Sequence, residues 1–324
     1  MSEHQPDRRF RYETLTVVTA VVTLALVAVG ALVRTTGSGL GCPDWPLCHG
    51  GLLPPAERTA IIEYSHRTLA AVVGLLIVAV AVATLRVRRD DPALRALAVA
   101  ALPLLALQAW LGKVTVNREL PAEIVTFHLG TALVLLAVLS LIAVFAILGP
   151  DRRPVQSAER RGFLRIATGA TVVTAGVLLL GSYLVGSDAG LACTDWPGCP
   201  EAPVPFVDGG RLQSIHWLHR ITVVVGLVAV VMVALSAANL REHATWLRRG
   251  AWAVLGLYAL QIVIGGLNIW TDFSDAARVA HLAVGSAIWG LLAVIATAGR
   301  YRSGVRVAAE PASQPSGQPT EARA

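Results

Sequence analysis

The chain has 324 residues, 55% of them hydrophobic and only 15% charged, and its mean hydropathy is +0.61. That balance excludes an ordinary water-soluble domain. The net charge of +6 comes largely from arginines grouped in alternate loops, so it reports membrane topology and calls for no nucleic acid.

Residues 1–13, with Arg8, Arg9 and Arg11, read as a cytoplasmic N-terminal arm. The apolar run 14–33 lacks a small-residue cleavage site behind it and is expected to remain as the first span. The runs 68–85 and 96–112 are short for a ~30 Å hydrocarbon core and suffice only if their polar ends are interfacial helix. Glu63 and His66 lie at such an end. A fourth run, 124–148, completes an N-terminal half over 14–150. The basic, Pro-containing segment 151–162 reads as a cytoplasmic linker. Runs at 163–185, 217–238, 247–267 and 279–298 form a C-terminal half over 163–300. Residues 301–324, rich in Ala, Pro, Ser, Gln and Glu, read as a disordered cytoplasmic tail.

Arginines crowd the N-terminal arm, the 86–95, 152–165 and 241–249 loops and the C-terminal arm. By the positive-inside rule both termini are cytoplasmic and the cysteine-bearing loops are extracytoplasmic, in a cell-membrane protein that crosses many times. Four spans per half give both halves the same orientation. The fold expected is an all-α polytopic membrane protein whose eight transmembrane helices form two tandem four-helix bundles, related by a pseudo-two-fold axis along the membrane normal.

The halves are duplicates. His66 and His128 recur as His219 and His281, each 153 residues later, with their flanking residues. Gly41-Cys42-Pro-Asp-Trp-Pro-Leu-Cys48 recurs as Ala192-Cys193-Thr-Asp-Trp-Pro-Gly-Cys199, at an offset of 151. The short spacing in an oxidising compartment favours intra-loop disulfides, Cys42 with Cys48 and Cys193 with Cys199. Each is either a structural staple or a redox-active pair. Zinc is disfavoured, since only His49 stands near two sulfurs.

Ionisable groups within membrane helices are costly and usually mark function. Two histidines per half, on separate helices at one depth, meet the requirement for bis-imidazole ligation of a haem; satisfied structural histidines are the alternative. No carboxylate or thiolate joins both pairs as a third ligand, which favours haem over zinc or copper. Arg67 and Arg220, each directly after its histidine, are placed to meet a propionate or to anchor in lipid phosphate. Three residues before the first histidine the repeat breaks: one half has Glu63, the other His216. A carboxyl beside one porphyrin alone points to chemistry there; an interfacial ion pair with Arg67 is the competing reading. Gln108 and Gln261 also repeat and read as residues that hold helices together. His4, His49 and His243 have no repeat partner and read as solvated.

The Glu63-x-x-His66-Arg67 segment, His128, the Trp217-Leu-His219-Arg220 segment, His281 and the outward Cys-x5-Cys loop with Asp-Trp-Pro resemble the haem A synthase family. The likeness covers residues 14–300. It implies oxidation of one porphyrin methyl of haem O to a formyl group, in two successive steps, to give haem A for cytochrome oxidase. It further implies haem b as cofactor on His219 and His281, and haem O as substrate on His66 and His128, with Glu63 near the reacting methyl. Candidate partners are the bilayer, the enzyme that supplies haem O, an electron acceptor and a further copy of the chain. The alternatives are a di-haem b-type membrane cytochrome that only transfers electrons, which would have no use for Glu63, and a transporter.

Overall fold

The computed structural model describes residues 5–240 and 245–302. Eight helices dominate: α1 Gln5–Thr35, α2 Arg58–Val87, α3 Pro92–Asn117, α4 Ala122–Leu148, α5 Ala158–Gly186, α6 Arg211–Ala238, α7 Thr245–Trp270 and α8 Asp275–Ala298. All eight are long and apolar enough to cross a membrane. The two runs that looked short in the sequence belong to helices of 30 residues (α2) and 26 residues (α3). At 1.5 Å per residue these reach about 45 and 39 Å. The polar ends are helical, so Glu63 and His66 stand on α2 itself. Helix α1 begins at Gln5, ahead of the apolar run. His4, His243 and the tail beyond residue 302 lie outside the described residues.

Helix starts follow local chemistry. The Asp91 carboxylate accepts from the Leu94 amide at 3.0 Å, with Pro92 just behind it, and Ser157 and Ser274 cap α5 and α8 in the same way. Each such cap contributes about 1 kcal/mol. Asp91 also receives the guanidinium of Arg152, which lies 4.2 Å from the Phe145 ring centroid, so one carboxylate starts α3 and fastens the linker. A short antiparallel ladder, Arg153–Pro154 with Tyr301–Arg302, joins the linker to the chain beyond α8.

The neighbour scheme repeats. In the first half α1 packs on α2, α2 on α3, α3 on α4 and α4 back on α1; in the second, α5 to α8 close in the same order. Helices α4 and α8 meet at the seam, flanked by α1 against α8 and α4 against α5. There Trp289 packs with Leu133 and Leu178 and donates from its indole nitrogen to the Thr171 carbonyl at 3.1 Å. Each half has its own apolar core. Val73, Ile77, Leu94, Leu139 and Ile142 fill the first; Phe163, Val230, Leu247, Ile288 and Leu292 fill the second. The outward faces are apolar as well. Leu75 is 72% exposed and Val172 68%. Burying such a side chain is worth roughly 1.5–3 kcal/mol, so a row of them belongs against lipid. This is a multi-pass membrane protein.

Both cores lie toward one end of the bundle and stop short of the histidines. On α2 no residue between Glu63 and Val73 is buried, and on α4 none ahead of Leu133. On α6 none is buried between His216 and Gly226, and on α8 none ahead of Gly285. On these four helices the residues beside the histidines are at most half-buried, whereas α1, α5 and α7 keep buried residues at that level, among them Ala31, Leu178, Leu184 and Ile264.

Candidate functional site

The four repeated histidines lie on α2, α4, α6 and α8, two in each half. His66 and His128 are close enough to interact electrostatically, and so are His219 and His281. Their imidazoles are under-partnered. The Nδ1 atoms of His128, His219 and His281 are buried without a hydrogen bond among the described residues. Buried polar atoms rarely go unpaired, and those that do call for an explanation.

A glycine on the neighbouring helix faces every one of these rings. A Cβ built on Gly30 of α1 would lie 3.2 Å from His66 Nε2, and one on Gly112 of α3 would lie 3.4 Å from His128 Cε1. In the second half, a Cβ on Gly181 of α5 would come within 3.0 Å of His219 Cε1, and one on Gly265 of α7 within 3.4 Å of His281 Cε1. A methyl group at Gly30 or Gly181 would press on its imidazole, and one at Gly112 or Gly265 would just touch it. Sequence reasoning missed these four glycines, although a signal was present: Gly30 and Gly181 are 151 residues apart, and Gly112 and Gly265 are 153 apart. A bare helix face lets each imidazole pack closely, and the unpaired ring nitrogens are of the kind that can hold a metal.

The cysteine loops close over this end. Cys42 is bonded to Cys48 and Cys193 to Cys199, as the spacing predicts. Cys193, Cys199 and Glu201 come together, but the two sulfurs are joined and leave no thiolate pair for a metal. Arg67 donates to the carbonyl oxygens of Asp44 (2.6 Å), Leu47 (2.6 Å) and Cys42 (2.9 Å). Arg220 does the same in the second half, to Asp195 (2.7 Å), Pro197 (2.9 Å) and Gly198. In this structure, then, the arginine after each histidine fastens the cysteine loop to its helix. Gly41 permits that fit, because a Cβ there would meet the Thr59 backbone at 2.5 Å; the repeat has Ala192 in its place.

Glu63 is buried, at 3% exposure. Its carboxylate accepts from the Cys42 amide at 2.8 Å and from Arg67 at 2.5 Å, so the ion pair that the i,i+4 spacing suggested is present. His216, its counterpart, is buried too and bonds through Nδ1 to the Ala189 carbonyl at 3.0 Å. Both residues tie an outer turn to the helix, and only Glu63 brings charge. His49, read as solvated, is exposed but bonds through Nε2 to the Gly41 carbonyl at 3.0 Å. Asp44 accepts from the Gly50 amide at 2.8 Å and the His49 amide at 2.6 Å, and these bonds, that of Gly50 foremost, hold its carboxyl below the usual carboxylate range. The glutamines do bridge helices. Gln108 Nε2 lies 3.2 Å from His128 Nε2, whereas Gln261 Nε2 donates to the His281 carbonyl at 2.7 Å.

Residues 13–293 match the family model described as cytochrome oxidase assembly protein, COX15-CtaA. The chain is 33% identical over 283 residues to the protein named Heme A synthase of Symbiobacterium thermophilum, covering 86% of this chain and 91% of that one. It is 28% identical over 297 residues to the protein of the same name in Bacillus licheniformis, covering 90% and 97%. A third, from Alkalihalophilus pseudofirmus, is 28% identical over 285 residues, covering 87% and 95%. With nearly its whole length matched, and with the paired histidines and disulfide loops in place, this chain belongs to the COX15-CtaA family of cytochrome oxidase assembly proteins.

Proposed function

We propose that this chain is a haem A synthase, which oxidises one methyl group of haem O to a formyl group in two successive steps. The observation that carries the reading is the duplicated set of paired, under-partnered histidines, each faced by a glycine, in a member of this family. The N-terminal half is the substrate half, with haem O on His66 and His128. The C-terminal half holds haem b on His219 and His281. Haem b supplies one-electron redox chemistry when bound. The repeated neighbour scheme of the helices supports a pseudo-two-fold axis along the membrane normal, with halves at 14–150 and 163–300. By the arginine distribution, both termini are cytoplasmic and the disulfide loops extracytoplasmic.

The protein's own work is positioning and charge. Glu63 stands one helical turn from His66, so both side chains project to one side of α2. Oxidising a methyl group to a formyl group at the oxygen level of water takes up one water, passes four electrons to an external acceptor and releases four protons. A carboxylate beside it stabilises the positive charge that develops and offers Oε1 or Oε2 to a departing proton. Arg67 and the Cys42 amide hold that carboxylate in place, while the disulfide and the three carbonyl bonds of Arg67 hold the loop. The second half needs no such carboxylate and has His216 there. Arg67 and Arg220 thus serve chiefly to fasten the lid, and a propionate would have to share them with the loop carbonyls.

Extracting pigments from membranes of cells that supply haem O tests the reading. Haem A, or its hydroxylated precursor, is expected only when this chain is expressed. Haem b alone, unchanged by haem O, would mean an electron-transfer cytochrome; purified protein without haem would refute both.

A further inference from the structure

The halves also differ beside His128. Gln108 on α3 and Gln261 on α7 are equivalent by sequence, yet their amides point differently. Gln261 bonds to the His281 backbone carbonyl, its own Oε1 is buried without a partner, and it makes no hydrogen bond to the His281 ring. Gln108 turns to the His128 ring itself, at 3.2 Å. Two substitutions account for this. The Thr131 hydroxyl shares its one proton among Gln108 Oε1 and the Phe127 and His128 carbonyl oxygens, and with Oε1 turned to it the NH2 end faces the imidazole; the second half has Val284 there, with no hydroxyl. The next position is Ala132 in the first half and Gly285 in the second. A Cβ on Gly285 would come within 3.1 Å of Gln261 Nε2, so the glycine leaves the space through which Gln261 reaches the backbone.

An amide nitrogen only donates, so His128 Nε2 must accept, with its proton on Nδ1. That nitrogen has one lone pair, which can receive a hydrogen bond or bind a metal ion, but not both. An enzyme that releases its product must leave these ligands vacant in every turnover, and a buried ring nitrogen without a partner is costly. A vacant lone pair with a donor at hand is better off than one without.

We infer that Gln108, oriented by Thr131, is the exchange partner of His128, taking the ring nitrogen whenever haem leaves the N-terminal half and so making that half the site that loads and releases. The inference rests on the reading that His66 and His128 hold the substrate. It makes Gln108 a positioning residue whose effect is on exchange. His281 has no such partner and keeps its haem.

The test measures exchange. Purified full-length protein is loaded with ferric haem b as the probe and mixed with excess apomyoglobin, and transfer is followed by absorbance. Two phases are expected, the fast one from the N-terminal half. Gln108→Leu should slow the fast phase by about fivefold, the equivalent of one net hydrogen bond, and leave the slow phase alone. Thr131→Val should slow it in the same direction. Val284→Thr combined with Gly285→Ala should turn Gln261 toward His281 and speed the slow phase; the atoms nearest the new methyl are the ends of the Leu178 and Gln261 side chains, which can move. A single phase in the wild type overturns the inference. So does a fast phase that Gln108→Leu leaves unchanged or accelerates, or, should that variant not fold, one that Thr131→Val leaves unchanged. His128→Leu separates the two levels: it should remove the fast phase, and if the fast phase survives, the haem assignment of that half is what fails.

Discussion

Replacing Glu63 with glutamine separates charge from shape at the point where the two halves differ most. The carboxylate has two donors, the Cys42 amide at 2.8 Å and Arg67 at 2.5 Å, and almost no exposure. A glutamine oxygen can keep one of them, while its NH2 end must then face the other, donor against donor. One charge-assisted hydrogen bond is lost, about 1.5–3 kcal/mol of stability. The loop should nevertheless survive, because Arg67 keeps three carbonyl partners and the Cys42–Cys48 bond is untouched. Folding and haem b content should therefore change little. Turnover should change far more: losing a preorganised charge beside the reacting carbon costs about 10²–10³-fold. Haem A per haem b in pigment extracts, measured beside a thermal melt, reads both quantities at once. Glu63→Ala should match the loss in activity and destabilise further, since the Cys42 amide then has no acceptor. Arg67→Ala keeps the carboxylate but frees the loop, so it should lose stability first and activity in part. If Glu63→Gln makes haem A at the wild-type rate with only a lowered melting temperature, Glu63 is a loop anchor and its catalytic assignment is wrong.

Four further outcomes are expected. His219→Leu should abolish the low-spin b-type spectrum, whereas His216→Ala should keep it and lose about 1 kcal/mol of stability with the Ala189 bond; a full spectrum in His219→Leu would refute the ligand assignment. Gly181→Ala puts a Cβ 3.0 Å from His219 Cε1 and should cut haem b content severalfold, while Gly265→Ala, at 3.4 Å from His281 Cε1, should stay near wild type; equal effects would argue against a steric cradle. Replacing Cys193 and Cys199 with serine should lower stability by about 2–3 kcal/mol in denaturant unfolding without stripping haem b, because the closed loop is short. The Asp44 carboxyl has a lowered pKa, so its contribution to the loop is present above the ordinary carboxylate range and is lost as pH falls through the lowered value. Amide exchange at His49 and Gly50 should accelerate only below that range, and Asp44→Ala should remove the pH dependence.

The fold was legible because a bilayer admits few solutions. The apolar runs gave eight membrane-spanning helices, and the repeat grouped them four and four. The cysteine spacing gave both disulfides, since six residues of separation leave few geometries. The histidines stood out because they repeat, and the structure sets them on four helices, two in each half. The role of Arg67 and Arg220 was not legible. A guanidinium has five donors, and its choice among propionate, lipid and loop carbonyl depends on where the loop folds back, which local sequence does not encode. The facing glycines escaped for a related reason. A glycine in a helix has many explanations, and only the register across two helices singles out Gly30, Gly112, Gly181 and Gly265.

A duplicated frame offers two similar cradles, so any division of labour between them must reside in the places where the copies differ. The copies differ at many positions around the histidines, and three of the differences change the polar surroundings of the first pair. Glu63 in place of His216 puts a buried negative charge one turn from His66. Thr131 in place of Val284, with Ala132 in place of Gly285, turns an amide from the backbone to a ligand ring. In the function proposed above, the first change serves reaction and the other two serve release, and a substrate site needs both. A site that only carries electrons needs neither, and the second half lacks both. Moving Thr131 and Ala132 into the second half, as Val284→Thr with Gly285→Ala, should thus make its haem exchangeable without making it reactive, whereas His216→Glu alone should do neither, because the haem there would still be held on His219 and His281.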